Sequence, residues 1–512
     1  MKRKINELKA GVILSYINMI VMFVSSLVIT PLMVKALGQS EYGLYQLIGS
    51  FAGYLSLIEF GIGASNIRYL SKYNAENDKK GKENYLALAL IIYSIIACIM
   101  MLVGTFMLFN IENIFSSSVN GNDVIKAKIM FITLVVGMIF STICAVFSAI
   151  LTSYEEYFIP KLVTVISAIV KLVIMFFVVF ISPSAVILTM VTVGVGIVGN
   201  IFNVCYSIKK YKVKIKLHYW DNNLFKEVLK FSMFNFMNTL MSQIYWKLDT
   251  IIIGSMMSTA MVAIYSVGMQ LNTIILDLTT MVTTVTLPRI TKLVFNNTSK
   301  RDLTMYMVKI GRIILMLYGL ISLGFFMFGK QFIRLWVGEE YIIAYYIANI
   351  FIIFAAIPRI QGAANDILKA KNMHGFLSVT YVITGVINIG ITIILLKNIG
   401  LIGAAWGTAF SLVIGNIIIA NIYYEKKVGI DVKLFFKETF RGIGKAIIIS
   451  PIVTLPLIFI NTTNYLVLFI QCSIFSIVYI VNLFIFGLNR EEKVMLKDLV
   501  VRKKMIEKRE MA

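Results

Sequence analysis

Charged side chains inside long apolar runs are the residues whose chemistry most needs explaining. Lys247 and Asp249 lie within Gln243-Ile-Tyr-Trp-Lys-Leu-Asp-Thr-Ile-Ile-Ile-Gly254, and Asp277 lies in the next apolar run. Lys171 and Arg359 stand mid-run elsewhere, and Glu59 closes a run before a charged loop. A charge inside an apolar helix in lipid costs roughly 3 kcal/mol. Such residues are expected to face a bundle interior or a watery cavity, so they point to a pathway for something polar.

The spacing adds to this. Asn235, Asn238, Ser242, Tyr245 and Asp249 follow steps of three and four, which puts them on one helical face. Gln270, Thr273, Asp277, Thr280 and Thr284 do the same on the next helix. Lys247 is two residues from Asp249, so the two point to different sides and cannot pair within the helix. Near the outer end of its run, Lys247 can also simply snorkel to the interface. Asp277 lies deep in its run; it has the position to bind or exchange a proton or sodium ion, or to serve packing alone. Arg359 has no acid on its own helix within four residues, whereas Asp366 and Lys369 are spaced to pair with each other.

The elements that must position these residues are membrane helices. The 512 residues are 59% hydrophobic and 14% charged, with a mean hydropathy of +0.84, as expected of an all-α polytopic membrane protein. Fourteen spans are expected, near 10–35, 41–65, 85–110, 126–152, 160–181, 184–207, 231–254, 258–287, 308–329, 341–368, 375–396, 400–423, 443–461 and 464–487. The first apolar run is too long for a cleavable signal and is expected to act as an uncleaved anchor. Cys98, Cys144, Cys205 and Cys472 sit in apolar runs, which supports neither a disulfide framework nor a zinc site, and no cofactor is expected. His218 and His374 fall in basic loops and are expected to be solvated.

A net charge of +22 would suggest nucleic acid in a soluble protein. Here it sorts by side of the membrane. With an inner N-terminus, outer segments hold only Lys35, Lys126, Lys128, Lys330, Arg334 and Lys397, with Lys171, Lys247 and Arg359 in mid-span. That asymmetry places both termini in the cytoplasm. It replaces nucleic acid with anionic membrane lipids as the partner of the basic loops.

The two halves repeat. Ser15-x-x-Asn18 and Ser25 recur as Ser232-x-x-Asn235 and Ser242, and Gly199-Asn-Ile with Lys209-Lys210 recurs as Gly415-Asn-Ile with Lys426-Lys427. An even number of spans per repeat makes the copies parallel, with substrate sites expected between them near the midplane. The expected organisation is a six-helix lobe over 1–215, a second over 216–428, two extra peripheral helices over 429–488 and a basic cytoplasmic tail over 489–512. Gly194-Val-Gly-Ile-Val-Gly199 spells a dinucleotide fingerprint, but inside an apolar span with no preceding strand. Gly324-Phe-Phe-Met-Phe-Gly-Lys-Gln331 lacks the Ser or Thr of a phosphate loop. Neither supports a nucleotide site, so transport would have to draw on an ion gradient, the membrane potential or the substrate's own gradient.

Thr30-Pro31…Leu37-Gly-x-x-x-Tyr-Gly-Leu-Tyr45, followed by Glu59-x-Gly61…Arg68, resembles the opening of the bacterial polysaccharide-unit flippases of the multidrug/oligosaccharidyl-lipid/polysaccharide exporter superfamily. Leu248-Asp-Thr-Ile-Ile-Ile-Gly254 with Ile264-Tyr265, and Gly400-Leu-Ile-Gly-Ala-Ala405, resemble later signatures of the same family. The resemblance implies two six-helix lobes around a central cavity in the bacterial plasma membrane. It also implies an undecaprenyl-diphosphate-linked oligosaccharide as cargo, moved from inner to outer leaflet, with polysaccharide polymerase and glycosyltransferases as partners. Lys171, Lys247 and Arg359 would then offset the diphosphate charge, with Asn235, Asn238 and Gln270 toward the sugars and Asp277, Asp249 and Glu59 as ion-coupling acids. Lipid II flippases and cation-coupled drug exporters of the superfamily are the nearest alternatives. An enzyme is not expected, because there is no Asp-x-Asp, substantial extramembrane domain or long outer loop.

Overall fold

The computed structural model describes residues 2–119, 121–283, 286–296 and 298–494; the side chains of 2–6, 8, 9, 229, 231, 234, 235, 238, 241, 242, 281, 283 and 287 fall outside that description. All regular structure among the described residues is helical. The first half runs through α1 (Lys2–Gly53), α2 (Ile62–Glu76), α3 (Lys79–Ile114), α4 (Asn122–Ser153), α5 (Phe158–Ile181) and α6 (Ala185–Tyr211). Then come α7 (Asn222–Trp246), α8 (Leu248–Met256), α9 (Thr259–Thr283), α10 (Leu287–Phe295), α11 (Lys300–Trp336), α12 (Ile342–Ile360), α13 (Gly362–Ala370) and α14 (Gly375–Ile399). α15 (Leu401–Leu412) and α16 (Ala420–Tyr423) are linked by a π-helical turn, and α17 (Val432–Phe440), α18 (Ile443–Thr454) and α19 (Tyr465–Asn482) follow.

Polar residues in the loops fix where several helices start. Asp78 caps α3 through Gly81 N, Asp221 caps α7 through Asn223 N and Leu224 N, and Ser299 caps α11 through Asp302 N. Asp431 and Asn464 do the same for α17 and α19. Each supplies an acceptor to N–H groups that have no intrahelical partner.

Eleven described helices are long and apolar enough to cross a membrane, or twelve if Val432–Phe440 and Ile443–Phe459, bent by 43°, form one span. The expected fourteen is not reached on that measure. The first two expected spans run together as Ala10–Glu76, bent at Gly38 (φ 76°). The span expected at 231–254 is broken at Lys247 into α7 and α8. The expected tail 489–512 lies outside the described residues from 495 onward.

The chain forms two compact units. The first comprises Met1–Ser266 and Ile389–Ala404, and the second Val267–Asn388 and Ala405–Ala512. In the first, α1 packs on α5, and α4 on α6 and α3. Gly43 is the point of closest approach: a Cβ there would overlap the Thr259 carbonyl, and Tyr42 and Leu44 beside it are each 1% exposed. The Tyr-Gly-Leu signature is therefore a packing device. In the second unit, α11 forms the spine of a core that includes Met307, Ile314, Phe328, Phe435, Phe475 and Tyr479. Tyr479 Oη donates to Met316 O at 3.2 Å, which fastens α19 along that spine.

Candidate functional site

In the first unit, two spans are interrupted beside one another. After α1 the chain tightens into a 3₁₀ turn, Tyr54–Glu59, then passes through left-handed Phe60 (φ 48°) and Gly61 (φ 66°) before α2. α7 is interrupted at Lys247 (φ −124°, ψ −23°). Tyr54 Oη donates to Gln243 O at 3.1 Å, and Gln243 Nε2 donates to Ser56 Oγ at 3.3 Å. Phe60 stacks on Phe236 with ring centres 4.6 Å apart, and Ser65 meets Ser232 at 2.9 Å. Interrupted helices free backbone groups at membrane depth, where they must be paired inside the protein or face a cavity. Gln243 Oε1 is buried with no hydrogen-bond partner among the described residues.

The acids here are dressed by hydroxyls. Asp249 is 3% exposed, and Tyr265 Oη donates to its Oδ2 at 2.5 Å. Glu59 is half-buried, and Thr142 Oγ1 donates to its Oε1 at 2.5 Å. Close by, Tyr93 accepts from Asn66, which in turn accepts from Tyr85, and Tyr93 feels the Glu59 charge. Carboxylates held by neutral donors retain lone pairs that can take a proton or a cation. Lys247, two residues from Asp249, is exposed, and Lys171 on α5 is half-buried. Among the described residues neither lysine has an acid within ion-pair reach.

The second unit contains a polar cleft of about 180 Å³. Thr279 and Thr280 reach it from α9, Pro358 and Arg359 from α12, and Asn365, Asp366 and Lys369 from α13. Asp366 Oδ2 accepts from Thr286 Oγ1 at 2.7 Å, and Lys369 Nζ stands 4.0 Å from Asp366 Oδ1, the pairing expected from their spacing. Arg359 has neither ion pair nor hydrogen bond on its guanidinium among the described residues, so its planar fork is open to the cleft. Asp277 is exposed on α9 and interacts with Arg359 by charge, beyond ion-pair distance. Gln270 is half-buried two turns before Asp277 on the same helix. The side chains of Asn235, Asn238 and Ser242, and residue Thr284, lie outside the described residues.

Some of this was not foreseen. His218, expected to be solvated, pairs with Glu83 at 3.0 Å, because Asn84 accepts from His218 N and Tyr219 N and holds the loop against α3. Gln243 and Tyr54 become visible only once the two breaks meet. Nothing in the spacing sets Arg312 apart from the other basic residues, yet it is 4% exposed. It forks onto Glu492 at 2.6 and 2.8 Å and donates to Glu438 O, Arg441 O and Gly487 O.

The fold is shared with solved membrane transporters. The lipid II flippase MurJ in an inward closed conformation superposes with a TM-score of 0.71 at 19% identity, covering 96% of this chain and 99% of that one. An inward-facing multidrug resistance MATE family transporter of the MOP superfamily gives 0.63 at 16% identity, over 83% and 99%. A MOP superfamily transporter from Pyrococcus furiosus gives 0.55 at 19% identity, over 84% and 96%. No curated protein matches the sequence significantly. Residues 8–294, more than half of the chain, match the family described as Polysaccharide biosynthesis protein, and this multi-pass membrane protein belongs to that family.

Proposed function

We propose that the protein flips undecaprenyl-diphosphate-linked oligosaccharide units from the inner to the outer leaflet of the bacterial plasma membrane for cell-surface polysaccharide assembly. Both termini are cytoplasmic in this reading. The six-span lobes 1–215 and 216–428 alternate access between them, with the helices over 429–488 outside the repeat. The observation that carries it is Arg359: a guanidinium at a membrane helix end, open to a polar cleft, with no anion bonded to it among the described residues. Leaving such a group without a partner is costly, and a planar fork suits a phosphate. Lys171 and Lys247, equally without acid partners among the described residues, supply further positive charge, and Asn235, Asn238 and Gln270 serve the sugars. A membrane potential negative inside favours outward movement of an anion by roughly 2.3 kcal/mol per charge per 100 mV.

The hydroxyl-dressed Glu59 and Asp249, with Asp277 within reach of the Arg359 charge, favour a second component. Glu59, Asp249 and Asp277 exchange a proton or sodium ion and couple cavity opening to its gradient. The same acids are what a cation-coupled drug exporter would need, while open cations argue for an anionic cargo. The chain does no catalysis in this reading; polymerase and glycosyltransferases act before and after it. Polymer export in a flippase-deficient strain, normalised to protein in the membrane, tests the proposal. Complementation by the wild type and none by well-inserted Arg359→Glu is the expected result. Failure of the wild type to complement, with drug resistance conferred instead, would overturn it in favour of the exporter.

A further inference from the structure

The first unit has a polar hollow of about 390 Å³ where the α2–α3 turn, the loop after α4 and the end of α6 converge. Four lysines line it: Lys79, Lys82, Lys212 and Lys214. Its two acids are already engaged. Asp78 caps α3 by accepting from Gly81 N at 2.9 Å, and Glu83 holds His218. Lys82 lies 4.2 Å from the centre of the Tyr154 ring, and Tyr154 stacks on Tyr211 at 4.0 Å with the planes 6° apart. Tyr211 and Lys210 both donate to Glu156, which ties this aromatic wall to the loop after α4. Lys79, Lys212 and Lys214 are left with no acid partner among the described residues.

Two further features suit an anion. Lys79 is the first residue of the 36-residue α3, whose N-terminus Asp78 already caps, so the helix start fixes Lys79 at the hollow's edge. The three tyrosines Tyr73, Tyr154 and Tyr211 line it beside the lysines, and amphipathic rings of this kind settle at headgroup depth. Each lysine near an anionic membrane surface contributes about 1 kcal/mol of attraction.

We propose that this hollow binds the phosphate of an anionic lipid headgroup. A soluble phosphate compound offers the same chemistry, but the lipid is held at this depth at high local concentration. The site would anchor the first unit's loops to the leaflet surface and make its packing sensitive to lipid composition.

The test uses purified full-length protein in an uncharged detergent. It is titrated separately with dioctanoyl phosphatidylglycerol, dioctanoyl phosphatidylcholine and inorganic pyrophosphate, and occupancy is read by native mass spectrometry. Saturable binding of phosphatidylglycerol over phosphatidylcholine is expected. The combined variant Lys79→Gln, Lys212→Gln, Lys214→Gln should weaken it by about tenfold or more. Arginine at the three positions should restore it, and Lys426→Gln should leave it unchanged. Equal binding of both lipids, or unchanged phosphatidylglycerol affinity in the folded triple variant, would overturn the site. Lysine-dependent binding of pyrophosphate alone would overturn the lipid as its occupant. If the triple variant fails to fold, single Lys214→Gln and its arginine counterpart carry the same comparison. Because the readout is binding, the outcome is independent of whether the transport proposal stands.

Discussion

In the second compact unit, Arg312 of α11 and Arg359 of α12 are treated in opposite ways. Arg312 has every guanidinium N–H in use: a two-pronged contact to Glu492 and three backbone carbonyls contributed from the segments around α17 and the end of α19. Among the described residues Arg359 has none of this, and it opens onto a cleft. A saturated arginine is a fastener that fixes where chain segments meet. An open one in a membrane helix is held ready for something the protein does not itself provide. The contrast separates structural from functional charge more sharply than burial does, since both are withdrawn from full exposure.

The largest effect expected from this contrast is on folding. Removing Arg312 strands the Glu492 carboxylate and three carbonyls, so Arg312→Ala should cost about 3–5 kcal/mol. It should be seen as a large fall in Tm in detergent and in folded protein recovered. Burial pushes the Glu492 carboxyl up, but the hydrogen bonds from Arg312 more than offset this and hold it below the usual range. Arg359→Gln should leave Tm close to that of the wild type. If both substitutions lower Tm alike, the distinction between fastener and open fork is lost.

Next comes transport. Arg359→Glu should abolish polymer export with protein levels unchanged, and Arg359→Lys should keep part of it, because charge survives while the planar fork does not. Normal export from well-inserted Arg359→Glu would remove this residue from any contact with cargo. Asp277, whose charge acts on Arg359 from α9, should show a smaller effect. Asp277→Asn should reduce export and weaken its dependence on an imposed proton or sodium gradient, with insertion intact. Full, gradient-dependent export in that variant would assign Asp277 to packing.

How much of this was legible in the sequence follows from range. Most helical spans and the Asp366–Lys369 pair are local, and spacing alone locates them. The apolar pattern singled out Lys171, Lys247 and Arg359 as costly charges, and cost does not depend on knowing the neighbours. What spacing does not contain is who meets whom across the chain. Thr142 and Glu59 are 83 residues apart and Arg312 and Glu492 are 180 apart, so neither partnership has a local signature. Arg312 was hidden because it sits near one end of its apolar run, where a cation is the ordinary occupant. The breaks at Tyr54–Glu59 and Lys247 were hidden because no proline marks either one, and apolar composition runs straight through them.

The smallest expected effect concerns a fastener in the first unit, and it carries the comparison of charges into a carboxylate outside the spans. Glu156 is 5% exposed and accepts from Tyr206 at 3.0 Å, from Lys210 and from Tyr211. Burial pushes its carboxyl up, but those three hydrogen bonds outweigh burial and hold it below the usual carboxylate range. A carboxyl lowered in the folded state stabilises the fold fully above its unfolded pKa of about 4.3, and that contribution fades as pH falls through the folded value. The Tm difference between wild type and Glu156→Gln should therefore stay constant from neutral pH down to about 5, then narrow at still lower pH. The glutamine keeps much of the shape but accepts with one oxygen and carries no charge against Lys210, so a gap of a few degrees is expected rather than collapse. A gap that widens on acidification would mean that Glu156 is held protonated, reversing its assignment as the charged counterpart of Lys210.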